Sequence, residues 1–188
     1  SLVWLLRARD PVQGLIYDVQ CRVLAQYEAV LNKKTVWEEA QRSMGEEIET
    51  LFDRLIFDNH DSSSPQMLLL IAHQVREEYY RLEKRFNIQF NGNCLYALSH
   101  YLIHRSRQAQ STINNEKARQ LEDFLVQKFP LLYRFCEAIL GALTLKLDIE
   151  PQRIDLLLLV LWFHKNGAIS QQQVTRAIIL AHGYATAS

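Results

Sequence analysis

Apolar residues recur at helical spacing through most of the chain, and few residues interrupt the pattern. One apolar stripe runs from Gly14 to Leu31, and a second runs from Trp37 to about Phe57. Thr35, with Glu38 three residues later, has the pattern of a capping box that would begin the second helix. The first part of the chain is therefore predicted to form two amphipathic helices.

The segment 58–65 is the clearest break in this pattern, because each of its residues favours turns or helix caps. Five further helices are predicted after it, over 65–86, 93–108, 116–128, 130–147 and 151–163. Helices joined by such short connections indicate a compact antiparallel bundle, so the predicted fold class is all-α. The β-branched run from Val174 to Ala181 predicts a short strand-like tail.

Charge and composition narrow the classes of function. The chain has 21 Lys and Arg against 21 Asp and Glu, and this balance argues against direct contact with nucleic acid. It also gives no electrostatic reason for membrane association, and the longest apolar run, Leu156 to Phe163, is too short to span a bilayer. Without a secretion signal, the expected location is cytoplasmic. Since the chain begins with Ser1 and ends within a motif, we expect it to be a piece of a longer protein.

Three widely spaced cysteines, Cys21, Cys94 and Cys136, offer no close pair for zinc or redox chemistry. We expect them to be buried thiols in a reducing compartment. The pairs Glu46-Glu47 and Glu77-Glu78 are interpreted as solvated helix faces. No carboxylate pair or Gly-rich phosphate loop indicates catalysis, so no enzyme activity and no cofactor is predicted.

His100 and His104 are the main candidates for chemistry, because residues four apart lie on the same helix face. Tyr96 and Arg107 extend this polar stripe. A pair at this spacing can chelate zinc, but the intervening Tyr-Leu-Ile lacks the Glu of a metalloprotease, and no metal site is predicted. A neutral imidazole can also accept a phosphoryl group, whose charge of about −2 Arg107 and the nearby Arg105 could then bind. The remaining alternative is that both histidines simply line a helix surface.

His182-Gly183, which follows the predicted strand, is a weaker candidate, since reactive groups often stand where strands end. The other histidines, His60, His73 and His164, are expected at the surface. Packing is the role expected for Cys94 and for the aromatic residues Trp37, Tyr79, Tyr80 and Trp162.

The segment from Asn93 to Arg107 resembles the first signature of the phosphotransferase-system regulation domain (PRD) of bacterial transcriptional regulators. Leu98, His100 and Arg107 match that signature, whereas Ser99 stands where the family commonly has Asp.

The segment from Lys128 to Cys136 is similar to the aromatic-Pro opening of the family's fourth helix. In the final helix, Asp155 fits the family's acidic position, but the second family histidine falls on Trp162, with His164 two residues beyond. The resemblance spans about residues 65 to 166.

The tail from Arg176 to Ser188 resembles the start of a mannose-family enzyme IIA domain, in which the His of a His-Gly pair accepts a phosphoryl group. A PRD followed by such a domain is similar to the layout of LevR-type sigma-54-dependent activators. The resemblance implies three parts: a helical linker from an upstream AAA+ module (1–62), a PRD-like bundle (63–168) and the incomplete start of an enzyme IIA-like domain (169–188).

The resemblance also implies a function, namely control of sugar-utilisation genes through phosphorylation of histidine. HPr or an enzyme IIB would phosphorylate His100, and His182 would be phosphorylated in an intact enzyme IIA-like domain. His104, Arg107 and Arg105 would contact the phosphate, and the protein would be a homodimer. The alternative is a non-catalytic helical dimerisation or interaction module without a phosphorylated histidine.

Overall fold

The fold was determined as a computed structural model that describes residues 11–57, 65–90, 92–105, 115–147, 150–166 and 169–170. Helices make up nearly all of this part of the chain, which confirms the all-α prediction. The helices are α1 (Pro11–Leu31), α2 (Trp37–Phe57), α3 (Pro65–Phe86), α4 (Gly92–Arg105), α5 (Asn115–Lys128), α6 (Pro130–Leu147) and α7 (Arg153–Lys165). A two-residue antiparallel pair joins β1 (Ile88–Gln89) to β2 (Ile169–Ser170).

The predicted helix boundaries hold to within a few residues. The predicted capping position moves by one residue, because Val36 accepts the first helical hydrogen bond, from the amide of Ala40 at 3.0 Å. The segment 58–64, the predicted strand 174–181 and His182 lie outside the described residues.

Two helices of the bundle are enclosed on nearly all sides. Helix α7 packs against α2, α5 and α6, and its residues from Leu157 to Phe163 are all buried. Helix α4 packs against α2 and α3 and also touches α1. A helix that is apolar all round can be stable in water only inside a core, and α7 is such a helix.

Helices α1 and α2 belong to the same hydrophobic core as the predicted five-helix bundle. Helix α1 packs on α2 and α5, while α2 packs on α4 and α7. Buried side chains such as Ile16, Met44 and Phe52 therefore continue the core of α3–α7 without a gap. The core is thus not divided at residue 62, although the identity of the parts on either side stays a prediction.

Across the described ranges, none of the helices combines the length and apolar character needed to cross a membrane.

Candidate functional site

Helix α4 carries polar side chains into the interior of the bundle. Every residue from Ala97 to Arg105 is buried, although four of them are polar or charged: Ser99, His100, His104 and Arg105. The hydroxyl of Ser99 donates to the carbonyl of Leu95 at 2.9 Å, so its hydrogen bond is made within the helix. The histidines and the arginine need partners elsewhere, which makes this helix the candidate functional site.

His100 is not open to solvent, although a phosphoryl acceptor has to be reached by its donor protein. Only 4% of the residue is exposed. The ring of Tyr96, one helical turn earlier, meets the imidazole edge to face, with 4.5 Å between ring centroids and 72° between planes. The imidazole is therefore covered by its neighbours in this conformation.

The Nδ1 atom of His100 is buried and has no hydrogen-bond partner within the described part of the chain. Burial lowers the pKa of His100, and the nearby charge of a protonated His104 would lower it further. His104 itself is 8% exposed. His100 is thus held as a neutral imidazole, and an unused lone pair is available whenever Nδ1 is the unprotonated nitrogen.

A buried ion pair lies on another face of α4. Arg105 donates from Nε to Oδ1 of Asp155 at 2.7 Å and from Nη2 to Oδ2 at 2.9 Å. Arg105 is 5% exposed and Asp155 is 1% exposed. This two-point geometry is the strong form of the arginine–carboxylate interaction, and it ties α4 to the start of α7.

Asp155 collects further donors from three other positions. The hydroxyl of Tyr101 donates to Oδ1, and the amide of Gln152 donates to Oδ2 at 2.7 Å. Nε2 of Gln20 on α1 makes a longer contact of 3.4 Å with Oδ1. A single carboxylate therefore joins α1, α4 and α7, and its charge near the N-terminus of α7 also suits the helix dipole.

The electrostatics of this network favour the charged form of Arg105. Burial alone would lower the pKa of Arg105, but its hydrogen bonds to Asp155 and the carboxylate charge outweigh that effect and raise it. Burial raises the pKa of Tyr101, and the charge of Asp155 adds to this. Arg105 is therefore already bound to Asp155 in this conformation, and its contact with a phosphate stays a prediction.

The remaining predicted residues are dispersed. Arg107 and His182 lie outside the described residues. Trp162, at the position of the second family histidine, is 5% exposed and packs edge to face on Phe52.

His164 is exposed and stacks on Phe129 at 4.1 Å between centroids. His73 is exposed and pairs with a glutamate of its own helix. Across the described ranges, no group of three or more His, Cys, Asp and Glu could hold a metal ion.

Three surface or core assignments need correction. Glu78 is not on a solvated face: it is 7% exposed and accepts from Arg81 at 2.6 Å and Lys146 at 2.8 Å. These hydrogen bonds, that of Lys146 first, lower the pKa of Glu78. Cys21 is exposed, whereas Cys94 and Cys136 are buried as expected. Tyr80, expected in the core, is 54% exposed.

Sequence reasoning missed the network around Asp155, although it noted the residue. Two signals were available. Asp155 is an acidic residue at the start of an otherwise apolar helix, and Tyr101 and Arg105 share one helix face four residues apart. Neither signal identifies the partner, since Arg105 and Asp155 are 50 residues apart in sequence.

Comparison of the chain with protein-family models, with curated proteins and with solved structures gives no match.

Proposed function

We propose that this chain is a phosphorylation-responsive regulatory domain of a bacterial transcriptional activator that controls sugar-utilisation genes. It would be a non-enzymatic PRD-like part of a cytoplasmic LevR-type sigma-54 activator, modulated by the phosphotransferase system. The observation that supports this best is the Nδ1 atom of His100, which has no hydrogen-bond partner in the described chain and belongs to a neutral imidazole on a helix that resembles the PRD signature.

The chemistry asked of His100 is a simple transfer. HPr or an enzyme IIB would bring a phosphoryl group on its own side chain, and the lone pair of the His100 imidazole would attack the phosphorus. A P–N bond to His100 forms as the bond to the donor side chain breaks, and the donor keeps that electron pair. The proton already on the other ring nitrogen of His100 can remain there, and the imidazole needs no prior deprotonation because the ring is neutral.

The new charge could not be accommodated in the described packing. A phosphoryl group adds about −1.5 to −2 charges, and at 4% exposure the site of His100 offers little water to solvate them. Arg105 is bound to Asp155, so it cannot neutralise the group without breaking that pair. Phosphorylation would therefore shift α4 between two packed arrangements, and a homodimer contact of the parent protein would respond to that shift.

The test is phosphoryl transfer to the chain from labelled phosphoenolpyruvate through the general phosphotransferase proteins, HPr and the cognate enzyme IIB proteins. Label mapped by mass spectrometry to His100, and lost in His100→Ala but retained in His73→Ala, is the expected result. His73 is the matched control because it lies exposed on α3. Wild-type protein that stays unlabelled with every donor present would contradict the proposal.

A second candidate function is a non-catalytic helical interaction module, favoured by the burial of His100 and the engagement of Arg105. In that case the histidines serve packing alone, and assembly of the parent protein is the function. Sedimentation of the chain with and without the phosphorylating proteins distinguishes the two, because only the regulatory domain would change its association on phosphorylation.

A further inference from the structure

The aromatic side chain that contacts His100 from one turn earlier on α4 is more exposed than the neighbours of His100 in sequence. His100 is 4% exposed, and its sequence neighbours Ser99 and Tyr101 are buried too. Tyr96, in contrast, is 55% exposed while its ring stands against the imidazole at 4.5 Å between centroids. The contact at this position is thus made by a partly solvated surface side chain.

We propose that Tyr96 is a gate that controls access to His100, the modification site of the proposed function on which this inference rests. Side chains on a helix lean toward its N-terminus, so the imidazole of His100 points toward the turn that carries Tyr96. Rotation of Tyr96 about its own side-chain bonds would uncover the imidazole edge without unfolding α4. Exposed side chains change rotamer within nanoseconds, far faster than a core helix can open.

The gate explains how a buried histidine can react and which donors can reach it. A donor protein that docks over α4 and has a pocket for the Tyr96 ring would draw the ring into that pocket. The same movement would expose the imidazole of His100. A small acylating reagent, or a protein without that pocket, would find the imidazole covered by the Tyr96 ring. Tyr96 is in this sense a positioning and selectivity residue, since it does not take part in the bond changes.

Acylation of histidine by diethyl pyrocarbonate measures this access without any phosphotransferase protein. The full chain is treated at neutral pH, and the rate at His100 is followed by peptide mass spectrometry. An edge-to-face aromatic contact is strong enough that its removal in Tyr96→Ala should raise the His100 rate about two- to tenfold. Tyr96→Phe keeps the ring and should react like wild type. Tyr80→Ala removes a similarly exposed tyrosine, and it should leave the His100 rate unchanged.

The urea midpoint of unfolding and the acylation rate of His73 separate gating from general loosening. Both should match wild type in Tyr96→Ala, since His73 is exposed on another helix. An unchanged His100 rate in Tyr96→Ala, or an increase that follows a lowered urea midpoint, would overturn the gate.

Phosphorylation of the same variants keeps the two proposals apart. Faster acylation of His100 in Tyr96→Ala without any phosphoryl transfer to wild type would refute the proposed function and leave the gate intact. Label on His100 in wild type, together with unchanged acylation in Tyr96→Ala, would refute the gate alone.

Discussion

At the scale of single residues, the carboxylate of Asp155 concentrates more interactions than any other side chain described above. It accepts from Arg105, Tyr101 and the Gln152 amide while only 1% exposed. Its charge is balanced by Arg105, and a buried pair of this kind is costly mainly when one partner is removed. The two side chains should therefore be tested together.

Asp155→Asn should lower the free energy of unfolding by about 3–5 kcal/mol, because it leaves the Arg105 guanidinium buried without a counter-charge. The double variant Arg105→Met with Asp155→Leu should be markedly less destabilised than the sum of its single changes. Urea unfolding of the four proteins of this cycle gives the coupling energy. A change below about 0.5 kcal/mol for Asp155→Asn would show that the pair carries little of the stability.

His100 should make stability depend on pH. Burial lowers the pKa of His100 in the folded protein below the ordinary value of 6.5, which His100 has in the unfolded chain. At a pH between the folded and unfolded pKa values, the unfolded chain therefore binds more protons than the folded one. Stability therefore falls as the pH drops below about 6.5. Urea unfolding across this range should show a shallower pH dependence for His100→Gln than for wild type. An equally steep pH dependence in His100→Gln would contradict this.

The surroundings of individual side chains on α4 could not be predicted from the sequence. The stripe of Tyr96, His100 and His104 is visible in the sequence, but its environment is not, because α4 also carries apolar residues on its other faces. Such a helix can be covered on every side, and periodicity alone does not reveal whether a polar stripe faces water or a neighbouring helix.

At the scale of elements, two helices that begin with proline have the predicted bounds. Helices α3 and α6 run from Pro65 and Pro130 to the predicted ends, because proline fits the first helical position, where no amide donor is needed. Helix α7 begins two residues after Pro151, since the Asp155 carboxylate accepts from the Gln152 amide and places the cap there. The predicted start of α7 was therefore two residues too early, because the cap lies at Gln152 and the helix does not begin at Pro151.

Two helix glycines form a matched pair for a stability test. A Cβ added at Gly141 in α6 would meet nothing within 4 Å, whereas one added at Gly45 in α2 would lie 2.9 Å from Cδ of Lys165. Gly141→Ala should stabilise the protein by about 0.5–1 kcal/mol through helix propensity. Gly45→Ala should gain less, because Lys165 must move and its ion pair with Glu49 is disturbed. Equal gains in urea unfolding would mean that the lysine adjusts freely.

The enclosed helix α7 predicts a steep contrast between inner and outer leucines. Leu158 is fully buried and Leu145 on α6 is 89% exposed. Leu158→Ala should cost about 2–5 kcal/mol of unfolding free energy through lost burial and a cavity. Leu145→Ala should remain within about 0.5 kcal/mol of wild type. Similar losses at both positions would contradict the central place of α7.

At the scale of the whole molecule, the helical class was predictable but the extent of the core was not. The break at 58–65 suggested a boundary, yet Ile16 and Met44 on one side share a core with Leu158 on the other. A turn-rich segment marks where the chain leaves one helix, and it does not tell whether the following helix packs back on the earlier ones. Contacts between distant segments, like the pairing of Arg105 with Asp155, decide that question.

The unequal exposure of the three thiols gives the molecule a built-in attachment point for a fluorescent dye. Cys21 is exposed, while Cys94 and Cys136 are buried. A maleimide dye should therefore attach to native protein at Cys21, which adjoins Gln20 and its contact with Asp155. Such a dye would report the separation of α1 from Asp155 as a change in emission, without any engineered cysteine.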